Sequence, residues 1–362
     1  MTIEDKIKEL SSAPVSKEDE EILKFIEESK PRVYVVGAGG SGTNTVDRLF
    51  ELGVDNVTLI GVNTDARHLL RVRANRKILI GKQLTKGRGA GSNPEIGASA
   101  AKESMEEIKE AIKDANMVFV TCGLGGGTGT GSAPVIAEEA KKMGALTIAV
   151  VTLPFNSEGR IRMENALIGL EALRKNTDTL IVIRNNKLLT IAPDLPLNTA
   201  FKVCDEVLAG SVKGIAELIT KSGLVNVDFA DLKTILSGAG YSVIGLGEAS
   251  VDAKSEERST IAIETALNSP LLDANISSAS RALVNVIGGE DMTLKEAELI
   301  VSETSKRIHP GAHIIWGSRI EPNLQKASIK VLVVLGGVKF PKYSLETENP
   351  SPTDDIDLDV IG

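Results

Sequence analysis

The segment GLGGGTGTG at residues 123–131 has six glycines in nine positions, and two threonines. It follows the apolar run VFVTC at residues 118–122, which predicts a buried strand, and it precedes a helical pattern. Ordering so much glycine costs roughly 0.5–1 kcal/mol per residue relative to alanine, so a flexible turn explains the segment poorly. Glycine amides and the hydroxyls of Thr128 and Thr130 can wrap a polyphosphate. The segment is not a Walker loop, because no GK[ST] follows it.

A second glycine loop, GAGGSGTN at residues 37–44, follows a strand pattern at residues 32–36. A helix that begins at Thr43 or Asn44 would point its free N–H groups at the same anion. This loop also fits a dinucleotide fingerprint, because Asp65 stands about 20 residues further on, where it could bind ribose. A nicotinamide-dependent oxidoreductase is thus an open alternative, although it gives residues 123–131 and 226–231 no function.

Strand and helix patterns alternate through the first half of the chain. Strands are predicted at residues 32–36, 57–62, 117–122, 146–153 and 179–183, and helices at residues 99–115, 133–143 and 162–175. This alternation predicts a parallel sheet covered by helices on both faces. Ligands of such sheets bind at the carboxyl ends of the strands, which is where both glycine loops stand.

The remaining segments complete a two-domain prediction. Residues 198–222 predict a long helix that is apolar around most of its circumference and therefore lies between two layers. We predict an N-terminal helical arm at residues 1–30, a nucleotide-binding domain at residues 31–197, a smaller α+β domain at residues 223–338, and a flexible tail with a terminal partner-binding peptide at residues 339–362. The smaller domain has predicted strands at residues 243–246, 282–287, 313–320 and 328–335, and predicted helices at residues 259–267 and 294–308.

Composition excludes several classes of protein. The 362 residues carry a net charge of −8, which argues against a general nucleic-acid binder. The two cysteines and three histidines form no metal motif, so no protein metal site is expected. No apolar run approaches the roughly 18 residues of a membrane span, and the charged start is unlike a secretory signal. We therefore expect a cytoplasmic protein without direct membrane insertion.

The glycine segment GGGTGTG at residues 125–131 is similar to the signature of the tubulin/FtsZ family. Residues 37–44, 63–65, 90–95, 154–159 and 223–231 resemble further loops of that family, and the resemblance extends from about residue 32 to 338. Prokaryotic FtsZ is the better match than eukaryotic tubulin. The resemblance implies a Rossmann-like GTPase domain with a parallel sheet, a long central helix and a smaller α+β C-terminal domain.

The resemblance also implies a role for particular residues. Those that would hold the phosphates of GTP or GDP are Gly40, Ser41, Gly42, Thr43, Asn44, Gly126, Gly127 and Thr128. Glu158 would accept from the ribose hydroxyls beside Arg162, while Asn44, Asn185 and Asp205 would read guanine. Phe201 would stack on the base, although its helical spacing alone favours a core aromatic. Asn186 stands where the family commonly has Asp and is not counted as a ligand. Mg²⁺ would bind through the phosphates, with no evident protein ligand.

The segment with Asn226, Asp228 and Asp231 has two readings. Asp228 is a good helix N-cap and Asp231 suits the first turn, which is a purely structural explanation. The resemblance implies instead that these residues are catalytic and act on the nucleotide of the adjacent subunit, so that head-to-tail self-assembly activates GTP hydrolysis. It further implies a cell-division ring at mid-cell and membrane-tethering division proteins that bind the C-terminal tail. An FtsZ-like paralogue with another cellular role is the alternative.

Overall fold

The computed structural model describes residues 19, 21, 24–25, 30–187, 196–221, 223–249, 255–321, 324 and 328–339. Most of the arm predicted at residues 1–30, and all but the first residue of the tail predicted at residues 339–362, lie outside these ranges. The first half contains β1 (Val33–Ala38), α1 (Gly39–Leu52), β2 (Val57–Asn63), α2 (Ala66–Arg71), β3 (Arg76–Leu79), α3 (Lys82–Thr85), α4 (Pro94–Glu103), α5 (Met105–Ile112), β4 (Met117–Gly123), α6 (Thr128–Lys142), β5 (Leu146–Leu153), α7 (Arg160–Asn176) and β6 (Thr179–Arg184). The second half contains α8 (Leu197–Thr220), α9 (Phe229–Leu236), β7 (Gly240–Ala249), α10 (Ser255–Leu267), β8 (Arg281–Gly288), α11 (Leu294–Arg307), β9 (His313–Ile320) and β10 (Ile329–Gly336).

All ten strands join one sheet in the order β3-β2-β1-β4-β5-β6-β7-β10-β8-β9. The strands from β3 to β7 are parallel, whereas β10 is antiparallel to both of its neighbours. The predicted parallel sheet of the nucleotide-binding half is therefore confirmed, and three residue pairs between β6 and β7 join it to the strands of the C-terminal half. All eight residues of the central strand β5 are buried, as expected for a strand covered by helices on both faces.

Several helix boundaries differ from prediction, four of them for identifiable reasons. The helix predicted at residues 99–115 is two helices, α4 and α5, that meet at Ser104. Helix α4 begins early because Asn93 accepts from the Glu95 N–H at 2.8 Å and because Pro94 suits the first helical position. Helices α1 and α6 also begin before their predicted starts, so residues of both glycine loops form the first helical turns. Glycine has a low helix propensity, which is why the pattern concealed these turns.

Helix α8 crosses the face of the sheet and reaches from the nucleotide-binding half to the C-terminal half. Its later turns bury Leu208, Val212 and Ile215 completely, against α1, β5 and β8. Full burial of each such side chain contributes about 1.5–3 kcal/mol. The second turn is more open, since Phe201 and Lys202 are exposed. The prediction of a long central helix is confirmed, and the exposed Phe201 near its start is available for a ligand.

Candidate functional site

One cavity of about 440 Å³ opens at the carboxyl ends of the parallel strands. The first turns of α1 and α6, the segments after β4 and β5, the residue after β6, and His68, Ala90 and Ser92 form its walls, and the start of α8 covers one side. Eleven of the predicted nucleotide-contacting residues line it, namely Gly40, Ser41, Asn44, Gly126, Gly127, Thr128, Glu158, Arg162, Asn185, Phe201 and Asp205. The cavity thus lies where a parallel sheet is expected to bind a ligand.

Two helix N-termini point at this cavity. Helix α1 begins at Gly39 and α6 begins at Thr128, and in both cases no side chain of the described residues caps the first turn. The first N–H groups of a helix have no partner within the helix, and the dipole adds positive potential at that end. Two such ends at one cavity form a binding site for a polyphosphate.

The glycines of the two loops serve packing as well as ligand binding. A Cβ on Gly39, whose φ is +73°, would lie 2.6 Å from the Gly129 amide nitrogen, and one on Gly42 would lie 2.3 Å from the Thr121 carbonyl oxygen. A Cβ on Gly126, in contrast, would meet no atom within 4 Å. Close contact between the loops therefore accounts for much of the glycine content. Phosphate binding is not needed to explain all of it.

Two predicted phosphate-binding residues do not line the cavity. Thr43 is completely buried, and its Oγ1 donates to the carbonyl oxygens of Gly39 at 2.7 Å and Gly40 at 2.9 Å. Gly42 packs against the strand β4 at Thr121. The side chain of Thr43 thus stabilises the first turn of α1, and any contact of Gly42 or Thr43 with phosphate would use backbone groups.

The end of the cavity beside α8 is rich in hydrogen-bond acceptors. Asp205 faces Ser41 Oγ and Asn44 Nδ2, both at a long 3.4 Å. Burial raises the pKa of Asp205 to about 6, and these two weak hydrogen bonds only partly oppose that effect. Asn185 is 6% exposed, and its Oδ1 has no hydrogen-bond partner among the described residues. Two neighbouring acceptors without strong donors indicate a ligand that supplies the donors.

Phe201 is not a core residue. It is 41% exposed, lines the cavity, and contacts Phe155 edge to face with ring centroids 5.4 Å apart. Nearby, Glu158 accepts from the Phe155 N–H at 2.8 Å and forms an ion pair with Arg162. The Phe201 ring is therefore free to stack on a planar ligand, while part of the hydrogen-bonding capacity of Glu158 is already used.

Several lining residues were not predicted as ligands, among them His68, Thr152, Leu124 and Cys204. The first of these follows the segment at residues 63–65. Within that segment, Asp65 does not line the cavity. Its carboxylate caps α2 by accepting from the N–H groups of Arg67 and His68 at 2.9 and 3.0 Å. This geometry does not favour the ribose role that a dinucleotide-binding protein would require of Asp65.

The predicted catalytic residues are apart from the cavity. Asn226, Asp228 and Asp231 are exposed, and none lines the cavity of its own chain. Asp228 is the N-cap of α9, since its Oδ1 accepts from the Asp231 N–H at 2.7 Å. Asn226 Oδ1 accepts from the Gly223 N–H at 2.6 Å. The structural explanation of Asp228 is thus correct in part, and a catalytic role within one isolated chain has no support from its position.

The loop that bears these acids is held against strand β9. The N–H groups of Leu224 and Val225 donate to the Ser318 carbonyl oxygen at 2.8 and 3.2 Å, and Ser318 N–H donates back to Val225. Buried Arg319 next to it pairs with buried Glu217 of α8 through Nη2 and Oε2 at 2.6 Å. The acidic loop therefore has a fixed position on the surface, which suits a contact with another molecule.

In the part of the chain that the structure describes, no group of three or more His, Cys, Asp or Glu side chains could hold a metal ion. Over the same residues, no helix combines the length and apolar character of a membrane span. A parallel sheet with two uncapped helix N-termini and an acceptor-rich end defines a nucleotide-binding protein of the α/β class, in which the phosphates bind without a Walker lysine.

Comparisons with known proteins identify the family. The family model "Tubulin/FtsZ family, GTPase domain" matches residues 32–193, and "FtsZ family, C-terminal domain" matches residues 240–339. The chain is 54% identical over 334 residues to cell division protein FtsZ 1 of Methanocaldococcus jannaschii, covering 92% of this chain and 90% of that protein. It is also 54% identical over 342 residues to FtsZ 1 of Pyrococcus abyssi, covering 94% and 90%.

Solved structures agree with this result. An FtsZ dimer from M. jannaschii matches with a TM-score of 0.83 and 55% identity, covering 89% of this chain and 92% of that one. CetZ1 of Haloferax volcanii, a GDP-bound monomer, matches with a TM-score of 0.75 at 24% identity, covering 85% and 94%, which shows a shared fold alone. The chain belongs to the FtsZ family of GTPases. The predicted tubulin/FtsZ fold and GTPase activity are confirmed, and the oxidoreductase alternative is not supported.

Proposed function

We propose that this chain polymerises head to tail and hydrolyses GTP where two subunits meet. The observation that carries the proposal is the exposure of Asp228 and Asp231 outside the cavity of their own chain. One end of the molecule has a nucleotide cavity whose two carboxylates, Glu158 and Asp205, are assigned to the ribose and the base, and another surface has a fixed loop with two acids. A contact that joins unlike surfaces does not close at two copies, so it builds a filament.

The reaction divides between the two subunits. The cavity of one subunit holds GTP through the N-termini of α1 and α6, with the γ-phosphate facing the joint. The acids of the next subunit polarise a water molecule, which attacks the γ-phosphorus as the bond to the β-phosphate oxygen breaks, giving GDP and phosphate. A positioned base is typically worth 10²–10⁴ in rate, and orientation of the water adds to it. Mg²⁺ would neutralise charge on the phosphates and bind through them rather than through a protein cluster.

Guanine is the base that best fits the acceptor-rich end of the cavity. The Asp205 carboxylate can accept from the guanine N1–H and amino group, and Asn185 Oδ1 offers a second acceptor. Adenine presents an unprotonated N1 at the same edge, and an acceptor opposite a carboxylate costs about 1–3 kcal/mol. Phe201 would cover the face of the base, with Glu158 and Arg162 beside the ribose.

The cellular role follows from the relatives. Those from M. jannaschii and P. abyssi are named cell division proteins, so we assign this chain to a cytoplasmic division ring at mid-cell. A paralogue with another role is less favoured, since identity is 54–55% to FtsZ but 24% to CetZ1. The tail at residues 339–362 would bind membrane-tethering division proteins through its apolar residues alternating with Asp. No nucleic-acid partner is proposed for the chain, since its net charge is −8.

Hydrolysis should depend on assembly, which tests the proposed function directly. We expect GTP turnover per subunit to be nearly absent at high dilution and to rise steeply above a threshold concentration, because the acids reach a nucleotide only in a joint. Phosphate release measured over a dilution series, with light scattering of the same samples, checks this. A turnover per subunit that stays constant down to dilute monomer would show that one chain contains the whole active site.

Asp205→Asn should weaken GTP binding and change its pH dependence. In the free protein the carboxyl group is protonated below about pH 6, where it loses acceptor capacity. Wild-type affinity should therefore be flat above that pH and fall by about tenfold per pH unit below it. The variant should bind weakly with a flatter profile. Displacement of labelled GTP by GTP and ATP from pH 5 to 8 measures both effects, and equal displacement by ATP would contradict guanine recognition.

A further inference from the structure

His68 is a lining residue of the nucleotide cavity that neither the motifs nor the proposed reaction uses. It lies on α2, and its backbone N–H donates to the Asp65 carboxylate at 3.0 Å. Its side chain faces the cavity, and its Nε2 is shielded from solvent without a hydrogen-bond partner among the described residues. Buried polar atoms usually have hydrogen-bond partners. An unpartnered ring nitrogen at a ligand cavity therefore indicates that the ligand supplies its partner.

The cavity wall has few positively charged side chains for a triphosphate, so a further donor such as His68 Nε2 matters for phosphate binding. The ionisable lining residues besides His68 and Cys204 are Glu158, Arg162 and Asp205. Arg162 is already paired with Glu158, so the wall offers a triphosphate no uncommitted Lys or Arg among the described residues. Backbone N–H groups therefore perform most of the phosphate binding, and His68 is the lining side chain that can add a ring N–H donor without breaking an existing ion pair.

The order of the strands fixes which end of the nucleotide lies near His68. Asn185 follows β6 and His68 follows β2, and the strands β1, β4 and β5 lie between them. Four strand spacings of about 4.8 Å separate the two sides. If guanine binds at Asn185 and Asp205, the phosphates cross the N-termini of α6 and α1 towards β2. The last phosphate is then the one nearest to His68, which also approaches Gly40 at the start of α1.

We propose that the Nε2–H group of His68 donates a hydrogen bond to the γ-phosphate and makes the cavity prefer GTP over GDP. This inference rests on the proposed nucleotide site and adds to it a residue that distinguishes the two nucleotides. GDP lacks the phosphate that would reach His68, so the contact contributes only before hydrolysis and phosphate release.

Binding of GTP, GDP and GMP to the full chain, at concentrations below the assembly threshold, tests the proposal. His68→Ala should lower GTP affinity by about tenfold, since a hydrogen bond to a charged group is lost, and should change GDP and GMP affinity by less than about threefold. His68→Gln should recover part of the GTP preference, because its amide nitrogen can occupy the position of Nε2. Arg67→Ala, which removes an exposed cation from the same helix, should bind all three nucleotides as the wild type does.

The outcomes separate the two proposals. Equal losses of GTP and GDP in His68→Ala, or a His68→Gln variant as unselective as His68→Ala, would overturn the role of His68 and leave the guanine site intact. A wild-type protein that binds none of the three nucleotides would overturn the nucleotide site itself. Thermal unfolding of each variant shows that the compared proteins are folded, and a selective loss of GTP in a stable variant supports the proposal.

Discussion

Replacing Asp228 or Asp231 by asparagine is expected to lower GTP turnover by about 10²-fold or more, because each variant loses a carboxylate that polarises the attacking water. GTP affinity should stay near the wild-type value, since neither residue lines the cavity of its own chain. Filaments should persist longer, because GTP in the joints is not consumed. Phosphate release, equilibrium GTP binding and light scattering of the same preparations measure the three effects.

The substitution Asp228→Asn distinguishes a catalytic role of Asp228 from its role as a helix cap. The carboxylate caps α9 by accepting from the Asp231 N–H, and asparagine is an equally good N-cap. Asp228→Asn should therefore keep its stability and lose turnover, whereas Asp228→Ala should lose turnover and about 0.5–2 kcal/mol of unfolding free energy. Glu106→Gln, an exposed acid in the first turn of α5, is the matched control and should change neither. Turnover that stays near wild type in Asp228→Asn would leave capping as the only function of this residue.

Long buried segments were predictable from sequence, because burial on both faces leaves a clear apolar run. The strand predicted at residues 146–153 is β5 with the same bounds, and all eight of its residues are buried. The edge strand β9 also has its predicted bounds, 313–320, although it is only partly buried. The starts of α1 and α6 were not predictable in this way. Their first turns contain the glycines that disfavour a helix, and loop contacts such as Gly39 against Gly129 override that local preference.

The candidate site also contains residues that could be predicted from the sequence and residues that could not. Residues in the glycine loops and at strand ends were predicted because motif and topology place them at one edge of the sheet. His68 was missed, because a single histidine on a short helix belongs to no motif and only the three-dimensional fold brings it to the cavity. The acids of the 226–231 loop are the opposite case, because the sequence predicted a role for them that the structure of one chain does not explain. The structure of one chain explains Asp228 as a cap, and its proposed catalytic role requires a second chain.

A mixture of two inactive variants is expected to regain activity if the active site is shared between subunits. One variant keeps the cavity and loses an acid, as in Asp231→Asn. The other keeps the acids and loses the cavity. Gly126→Leu suits this purpose better than a change at Gly127, where a Cβ would lie 2.8 Å from the Asn93 amide nitrogen. At Gly126 a Cβ meets no atom within 4 Å, and since Gly126 lines the cavity, leucine should exclude nucleotide without disturbing the fold.

Each variant alone should have less than about 1% of wild-type turnover, given the 10²-fold or larger contribution of the acids and the blocked cavity. In an equimolar mixture, joints that combine the cavity of Asp231→Asn with the acids of Gly126→Leu are intact. Random head-to-tail pairing makes about a quarter of all joints of this kind, which sets the upper limit of recovered turnover. Such a joint needs GTP in only one of its two subunits, so the blocked variant can still take part.

The control mixture contains Asp231→Asn and a double variant with both Gly126→Leu and Asp231→Asn. No joint in that mixture has an acid at position 231, so it should stay inactive. Cosedimentation of the labelled Gly126→Leu protein with Asp231→Asn filaments establishes that the blocked subunit enters them. If the blocked subunit enters the filaments and the first mixture remains as inactive as its parts, the catalytic acids do not act across the joint. Asp228 and Asp231 would then have to act within their own chain. Their exposed position outside its cavity does not support such a role.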